Sequence, residues 1–210
     1  MKRHGVYRLN IALLFGAFVL ASPGVARADA ACLDLTRSAE AVVSACTKAI
    51  GAVGGDSRTA APLYNARAMG HRGAGRDDLA LADFDAAIRA NPHFADAYAN
   101  RGDLNRDAGR HERAVTDYGT AIWLKPKFAR AYLGRGQSLF AIRQWNRAIA
   151  DFDAFLRERP DGAAGYYHRG LVFEAKGVRA LAEADFRSAL KLAPDDPAIR
   201  RKVADLGLAD

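Results

Sequence analysis

The chain has 210 residues, half of them apolar, with 31 basic and 24 acidic residues and a formal net charge of +7. A basic excess of this size would suit a polyanion such as nucleic acid. Four of the basic residues lie in the first 28, where no acidic residue occurs, so the remainder carries 27 basic and 24 acidic residues, or +3. That balance predicts a soluble surface of mixed charge and no nucleic-acid partner.

Residues 1–28 have the pattern of a secretory signal peptide. Three basic residues precede the apolar stretch 11–20, and an A-x-A cleavage site ends at Ala28. Ten apolar residues would cross only about half of a bilayer core as a helix, so cleavage after Ala28 is favoured over an uncleaved membrane anchor, the alternative left open. We therefore expect a periplasmic or secreted protein with no stable membrane span after cleavage.

The two cysteines, Cys32 and Cys46, lie close together after this segment. In an oxidising compartment such a pair favours a disulfide over a redox or metal site. One continuous helix would hold the two residues roughly 20 Å apart, whereas a disulfide needs Cα atoms within about 7 Å. The chain must therefore turn back between them, and Ser38 is placed to cap a new helix at Ala39.

From residue 61 onward the sequence repeats itself four times with a period of 34 residues. The units are 61–94, 95–128, 129–162 and 163–196. The residues that recur are Tyr64, Tyr98, Tyr132 and Tyr166; Arg67, Arg101, Arg135 and Arg169; Ala80, Ala114, Ala148 and Ala182; Phe84, Tyr118, Phe152 and Phe186; and Pro92, Pro126, Pro160 and Pro194. This period predicts stacked units of two helices, each of which buries its apolar face only against its neighbours.

The repeated pattern resembles the tetratricopeptide repeat family. The shared features are a small residue at the eighth position of each unit, alanine at the twentieth, an aromatic at the twenty-fourth and proline at the thirty-second. The resemblance implies an all-α fold, a right-handed α-solenoid of stacked helix-turn-helix repeats. Phe155 departs from the pattern at the twenty-seventh position, where the other units have alanine, and predicts local repacking in the third unit.

Each unit also carries an aspartate 16 residues after its recurring arginine. These aspartates are Asp83, Asp117, Asp151 and Asp185. Antiparallel helices would bring the two positions together, within a unit or across to the next. We predict a ladder of partly buried Arg–Asp pairs that fixes register more than it adds stability.

Two segments flank the repeats. Residues 39–50 match the second helix of a unit, so 29–60 is interpreted as an N-terminal half-repeat followed by a flexible link at 51–58. Residues 197–210 contain an amphipathic pattern that predicts a short helix covering the last apolar face.

Motifs for catalysis are absent from the sequence. The five histidines have no metal-site spacing, and His111-Glu112 lacks the second histidine of a zinc-protease motif. No serine occurs in a G-x-S-x-G elbow, and no phosphate loop or dinucleotide fingerprint is present. We expect a protein that is not an enzyme and needs no cofactor or metal.

The family resemblance also implies a concave groove lined by the first helix of each unit. The candidate groove residues are Asn65, Met69, Asp96, Asp103, Arg106, Arg130, Leu133, Gln137, Phe140, Tyr167, Leu171 and Glu174. The first half of this groove is predicted to be polar and the second half to expose apolar side chains, although Phe140 and Leu171 could instead belong to the core. The lysine–asparagine clamp that some family members use for acidic peptide tails is not matched, because Ala99 and Asp103 occupy key places.

These features together predict a non-enzymatic interaction scaffold of the cell envelope. Its partner would be another protein, held through an extended or helical peptide segment in the groove. The alternative is an accessory or regulatory subunit of an envelope enzyme or secretion complex. Four repeats suffice to fold without a partner, so we expect a monomer when the protein is alone.

Overall fold

The computed structural model describes residues 30–55 and 58–208. The signal-peptide prediction for residues 1–28 lies outside them. Within this part of the chain the secondary structure is entirely helical, as expected, and none of its helices is both long and apolar enough to cross a membrane. After a helical turn at 30–33, the helices are α1 (Ala39–Val53), α2 (Ala60–Gly73), α3 (Asp77–Ala90), α4 (Ala95–Asp107), α5 (His111–Leu124), α6 (Ala129–Ala141), α7 (Trp145–Glu158), α8 (Ala163–Ala175), α9 (Arg179–Leu192) and α10 (Pro197–Asp205).

The helices stack in chain order as four pairs, each pair forming one unit. The first helices of successive units, α2, α4, α6 and α8, also contact one another. This extra contact draws the first helices together on one side of the stack, which makes that side the concave face. Each second helix ends two residues before its proline, because proline removes a backbone donor and restricts the residue before it.

Close approach of the two helices in a unit depends on the small residue at the eighth position. A Cβ added to Gly102 would lie 3.0 Å from the ring of Tyr118, and one on Gly136 would lie 2.6 Å from the ring of Phe152. Both rings are fully buried. The glycine at the eighth position therefore makes room for the aromatic at the twenty-fourth.

Two glycines at the junction of the third and fourth units make room for the Phe155 side chain. A Cβ on Gly162 or on Gly165 would lie 2.5 Å from the Phe155 ring. The first two units have the opposite arrangement, with alanine at the position of Phe155 and a phenylalanine, Phe94 or Phe128, at the position of Gly162. The third unit thus exchanges a large and a small residue across the same contact, which is the local repacking that the sequence predicted.

The Arg–Asp ladder is present in all four units. Its ion-pair distances are 2.7 Å for Arg67–Asp83, 2.6 Å for Arg101–Asp117, 2.7 Å for Arg135–Asp151 and 2.7 Å for Arg169–Asp185. Two of these arginines also bridge to the second helix of the preceding unit, Arg101 to Asp85 at 2.6 Å and Arg169 to Asp153 at 2.5 Å. The predicted pairs therefore form within the units, and the two bridges between units use further aspartates that the sequence analysis did not name.

Burial and ion pairing act in opposite directions on these guanidinium groups. Burial lowers the pKa of Arg101, but the hydrogen bonds that Arg101 donates to Asp117 and Asp85, with the charges of these carboxylates, outweigh it and raise that pKa overall. Hydrogen bonds to Asp185 and Asp153 likewise raise the pKa of Arg169. The ladder consequently stays charged, and it supplies directional contacts that fix how successive helices meet.

The N-terminal region folds back as its cysteine spacing requires. Cys32 and Cys46 form a disulfide with their Cα atoms 4.5 Å apart, and the Ser38 hydroxyl caps α1 by accepting from the Ala41 N–H. Helix α1 continues to Val53, so the expected link at 51–58 was placed too early and the helix takes up its first three residues. The half-repeat packs on α2, with both cysteines fully buried.

The predicted C-terminal helix, α10, covers the last unit. The Asp196 carboxylate caps it by accepting from the N–H groups of Ala198 and Ile199. Ile199 and Val203 are buried against Phe186 of α9. The apolar end of the stack is thereby closed.

Candidate functional site

A continuous chain of hydrogen bonds runs along the concave face and joins all four units. At its start, the Asn100 amide of α4 donates to Asn65 Oδ1 of α2 at 2.8 Å. Arg130 at the start of α6 then donates to Asn100 Oδ1 at 2.9 Å and to Asp103 Oδ2 at 2.6 Å. Three predicted groove residues, Asn65, Asp103 and Arg130, are thus joined through Asn100.

The buried carboxylate of Asp103 is the centre of this network. It accepts a hydrogen bond of 2.5 Å from the hydroxyl of Tyr118 as well as the bond from Arg130. Burial, followed by the nearby charge of Asp103, raises the pKa of Tyr118 above its ordinary value, so the phenol remains a donor. Glycine at residue 134 leaves room for the Tyr118 ring, because a Cβ there would clash with it.

The network continues through Arg106 into the last unit. Arg106 donates to the Tyr118 hydroxyl at 3.2 Å and to Gln137 Oε1 at 2.9 Å. Since the Gln137 oxygen accepts, its amide nitrogen is the donor toward His168 Nε2, 2.7 Å away. Burial, with a contribution from the charge of Arg106, lowers the pKa of His168 to about 4, which keeps the imidazole neutral and able to accept.

At its N-terminal end the groove opens into an apolar cavity of about 360 Å³. Its lining includes Leu33, Leu35, Pro62, Asn65, Met69, Phe94, Asp96, Asn100 and Arg130. Leu33, Leu35 and Met69 are exposed large apolar side chains. The leucines belong to the segment that the disulfide holds against α1 and α2, so the disulfide builds one wall of the cavity.

Asp96 contributes a carboxylate to this cavity. It forms no hydrogen bond or ion pair with any residue in 30–55 or 58–208, whereas Asp103 and Arg130, also on the concave face, are paired with each other. A free carboxylate beside exposed aliphatic side chains can bind a cation carried next to an apolar group.

The second half of the groove differs from the sequence expectation. Leu133 and Phe140 are half-buried against the cluster around Phe152, and Tyr167 and Leu171 are half-buried against the cluster around Phe186. These four side chains are therefore less open than the sequence expectation, because each rests partly on the buried aromatic of its own unit. Glu174 forms an ion pair of 3.0 Å with Lys202 of α10 instead of facing an open groove.

The remaining candidates lie where the helical register places them. Asn65, Asp103, Arg106, Arg130 and Gln137 belong to the hydrogen-bonded network. Met69 and Asp96 line the cavity at its N-terminal end. Whether these residues bind a peptide remains a prediction.

Sequence reasoning missed five residues of this face. Asn100 and His168 occupy the sixth position of their units, where the other two units have Ala66 and Gly134. That alternation of polar and small residues was a usable signal. Tyr118 replaces the phenylalanine of the other units, but its hydroxyl had no visible partner in the sequence. Leu33 and Leu35 lie before the repeats, and no repeat register could assign them to the groove.

The described residues contain no group of three or more His, Cys, Asp or Glu side chains that could hold a metal ion. What the face does offer is a row of fixed donors and acceptors next to an apolar cavity. That combination is suited to noncovalent recognition of a polypeptide segment.

Comparison with known proteins agrees with this architecture. Residues 133–197 match the family model described as tetratricopeptide repeat, and residues 102–142 match a second model described as TPR repeat. These segments are tetratricopeptide repeats. No curated protein matches the chain.

Several solved structures share the fold, two of them described as TPR structures. MamA from Desulfovibrio magneticus RS-1, residue 41 to the end, superimposes with a TM-score of 0.72 at 16% identity, covering 84% of this chain and 99% of that one. YrrB, described as a TPR protein with an unusual peptide-binding site, gives 0.71 at 20% identity, with 87% and 91% covered. The first TPR of Spaghetti (RPAP3), bound to the HSP90 peptide SRMEEVD, gives 0.55 at 20% identity, with 56% and 93% covered. At these identities the likeness establishes the solenoid fold.

Proposed function

We propose that this protein is a non-enzymatic interaction scaffold that holds a peptide segment of a partner protein in its concave groove. The observation that carries the proposal is the cavity at the N-terminal end of the groove, where Leu35 and Met69 are exposed beside the carboxylate of Asp96. Exposed apolar residues that cluster in a concavity mark binding sites more strongly than scattered ones do.

The groove is built to recognise without large rearrangement. Its polar side chains are held by one another before any ligand arrives, from Asn65 through Asp103 to His168. Preorganised side chains lose less conformational entropy on binding, which favours affinity. YrrB, described as having a peptide-binding site, and the first TPR of RPAP3, solved with a bound peptide, support peptide binding as a use of this fold.

The bound segment is proposed to carry an aliphatic side chain next to lysine or arginine. The aliphatic side chain would enter between Leu35 and Met69, and the cation would pair with Asp96. An acidic segment is disfavoured, because Asp96 and Asp103 would repel it and the arginines near them are already paired.

A panel of short synthetic peptides tests this proposal. Each contains one leucine followed by lysine, glutamine or glutamate, and its affinity is measured by fluorescence anisotropy on the purified protein. We expect the lysine peptide to bind most tightly and Asp96→Asn to weaken it by about tenfold, to the level of the glutamine peptide. Leu35→Ser should weaken all the peptides that bind.

Leu79→Ser is the matched control, because Leu79 is 50% exposed on α3 and Leu35 is 47% exposed at the cavity. The control should bind like the wild type. Preference for the glutamate peptide, equal affinities for wild type and the Leu35→Ser and Asp96→Asn variants, or no binding by the panel would contradict the proposal.

The cellular location is part of the same proposal. The basic, apolar and A-x-A pattern of residues 1–28 and the Cys32–Cys46 disulfide both suit an exported protein. Fractionation of the native cells, followed by N-terminal sequencing, tests it. A mature chain that begins at Asp29 in the periplasm or medium is expected, and an intact chain in the cytosol would refute export.

A further inference from the structure

The second unit departs from the other three at two positions on the outer surface. Trp123 on α5 is 75% exposed, and the corresponding residues of the other units are Arg89, Arg157 and Lys191. Gly119 precedes it by one helical turn and therefore lies on the same side of the helix. The opposite side of α5, including Asp117 and Tyr118, is buried.

Because residue 119 is glycine, one arginine of the ladder has no side-chain acceptor at this position on the preceding unit. At the other three junctions the recurring arginine uses Nη1 to contact the second helix of the preceding unit. Arg67 Nη1 donates to Thr47 at 3.2 Å, Arg101 Nη1 to Asp85 at 2.6 Å and Arg169 Nη1 to Asp153 at 2.5 Å.

Arg135 lacks this contact. Its Nε and Nη2 bind Asp151, but its Nη1 has no hydrogen-bond acceptor within residues 30–55 and 58–208. Nη1 instead lies 3.7 Å from the place where Gly119 would carry a Cβ. Thr47, Asp85 and Asp153 show what this position binds elsewhere in the chain, namely an oxygen acceptor that is a carboxylate in two of the three cases.

We propose that Trp123, Gly119 and Arg135 form a second interaction surface, outside the groove, for an acidic segment of a partner protein. An aspartate or glutamate of that segment accepts from Arg135 Nη1 in the space left by Gly119. An adjacent apolar side chain packs on the Trp123 ring. Tryptophan and arginine are the residue types that contribute most to protein interfaces, and charge-assisted hydrogen bonds are the stronger ones.

The chain itself supplies substitutions that remove this surface without disturbing the fold. Gly119→Asp introduces the carboxylate that Asp85 and Asp153 provide at the same position, so it should occupy Arg135 Nη1 from within. Trp123→Arg introduces the residue of the first and third units. Leu181→Arg is the matched control, because Leu181 is 49% exposed on α9 and its counterparts in the second and third units are Arg113 and Arg147.

A displayed library of random peptides, selected on the full-length wild-type protein and counter-selected on Gly119→Asp, tests the proposal. The selected peptides should contain Asp or Glu beside an apolar residue. Made as synthetic peptides, they should bind wild type and Leu181→Arg with equal affinity. Their affinity for Trp123→Arg and for Gly119→Asp should be lower by at least about tenfold. Thermal unfolding should show all three variants folded, with Gly119→Asp at least as stable as wild type.

Asp96→Asn separates this surface from the groove, since it should leave these affinities unchanged even if the groove proposal fails. Recovery of no discriminating peptide, selected peptides without an acidic residue, or undiminished binding to Gly119→Asp would each overturn the second surface.

Discussion

The hydroxyl of Tyr118 donates a 2.5 Å hydrogen bond to Asp103 and so joins the core of the second unit to the concave face. The aromatic residues at the same position in the other units are phenylalanines, which fill the core without reaching the groove. This hydroxyl links the two ends of the network, because Asp103 binds Arg130 on one side and Tyr118 accepts from Arg106 on the other. A direct Arg106–Asp103 ion pair of 3.4 Å reinforces the link.

Tyr118→Phe should lower the free energy of unfolding by about 1–2 kcal/mol. The ring is retained, so the loss reports the hydrogen bonds of a buried hydroxyl and the acceptor left behind on Asp103. Urea denaturation monitored by circular dichroism measures it. Tyr132→Phe is the control, since the Tyr132 hydroxyl has no hydrogen-bond partner among the described residues; equal stability of Tyr118→Phe and wild type would refute the role of Tyr118.

The exchange at Phe155 predicts strong coupling with Gly165. Gly165→Ala should destabilise the protein by about 1–3 kcal/mol, because the new Cβ would meet the Phe155 ring. In the Phe155→Ala background the ring is absent and the Leu156 side chain, 2.8 Å from the same Cβ, is the remaining obstacle, so the same substitution should cost less. A double-mutant cycle from chemical denaturation gives the coupling energy, and strict additivity would show that the two residues are not packed together.

The two carboxylates around Arg101 should differ in their effect on stability. Asp117 is only 6% exposed and binds both Arg101 and the Asn105 amide, so Asp117→Asn should cost about 2–4 kcal/mol. Asp85 is 41% exposed, and because solvent screens it, Asp85→Asn should cost less than about 1 kcal/mol. Equal losses in urea denaturation would mean that exposure does not govern the ladder.

The lowered pKa of His168 should make the protein less stable as the pH falls. This pKa is about 4 in the folded protein, below the ordinary value of 6.5, so the unfolded chain binds the proton more readily. The contribution of His168 to the free energy of unfolding is therefore complete above pH 6.5. About 3 kcal/mol of it is lost as the pH falls from 6.5 to 4. His168→Gln, which keeps a hydrogen-bonding side chain, should lack this part of the pH dependence when urea midpoints are compared at several pH values. Identical profiles for the variant and the wild type would contradict the assignment.

The fold could be predicted from the sequence because the residues that determine the helix packing recur in every unit. Four copies of the same arginine, aspartate, aromatic and proline fix the helix pairs and the ladder, and the cysteine spacing fixes the turn back before α1. The groove was less predictable, because its residues are the ones that differ between units. Phe140 shows the limit, since a helical register gives the side of the helix but not how far its neighbours cover it.

The cavity depends on a contact outside any repeat. Leu33 and Leu35 reach the groove only because the disulfide turns their segment back onto the first unit. No periodicity carries that information. The compensation of Phe155 by Gly162 and Gly165 is similar. These residues belong to two units, and only their contact in the folded structure explains why each differs from its counterparts in the other units.

Site-specific photo-crosslinking in the native cells tests the central claim, peptide binding in the concave groove, most directly. A photoreactive amino acid is placed at Met69, within the cavity, or at Leu79 on α3 as the control, and the crosslinked peptides are identified by mass spectrometry. We predict a partner segment with an aliphatic residue beside lysine or arginine, captured from position 69 and not from position 79. Equal capture from both positions, or capture only from position 79, would contradict the account.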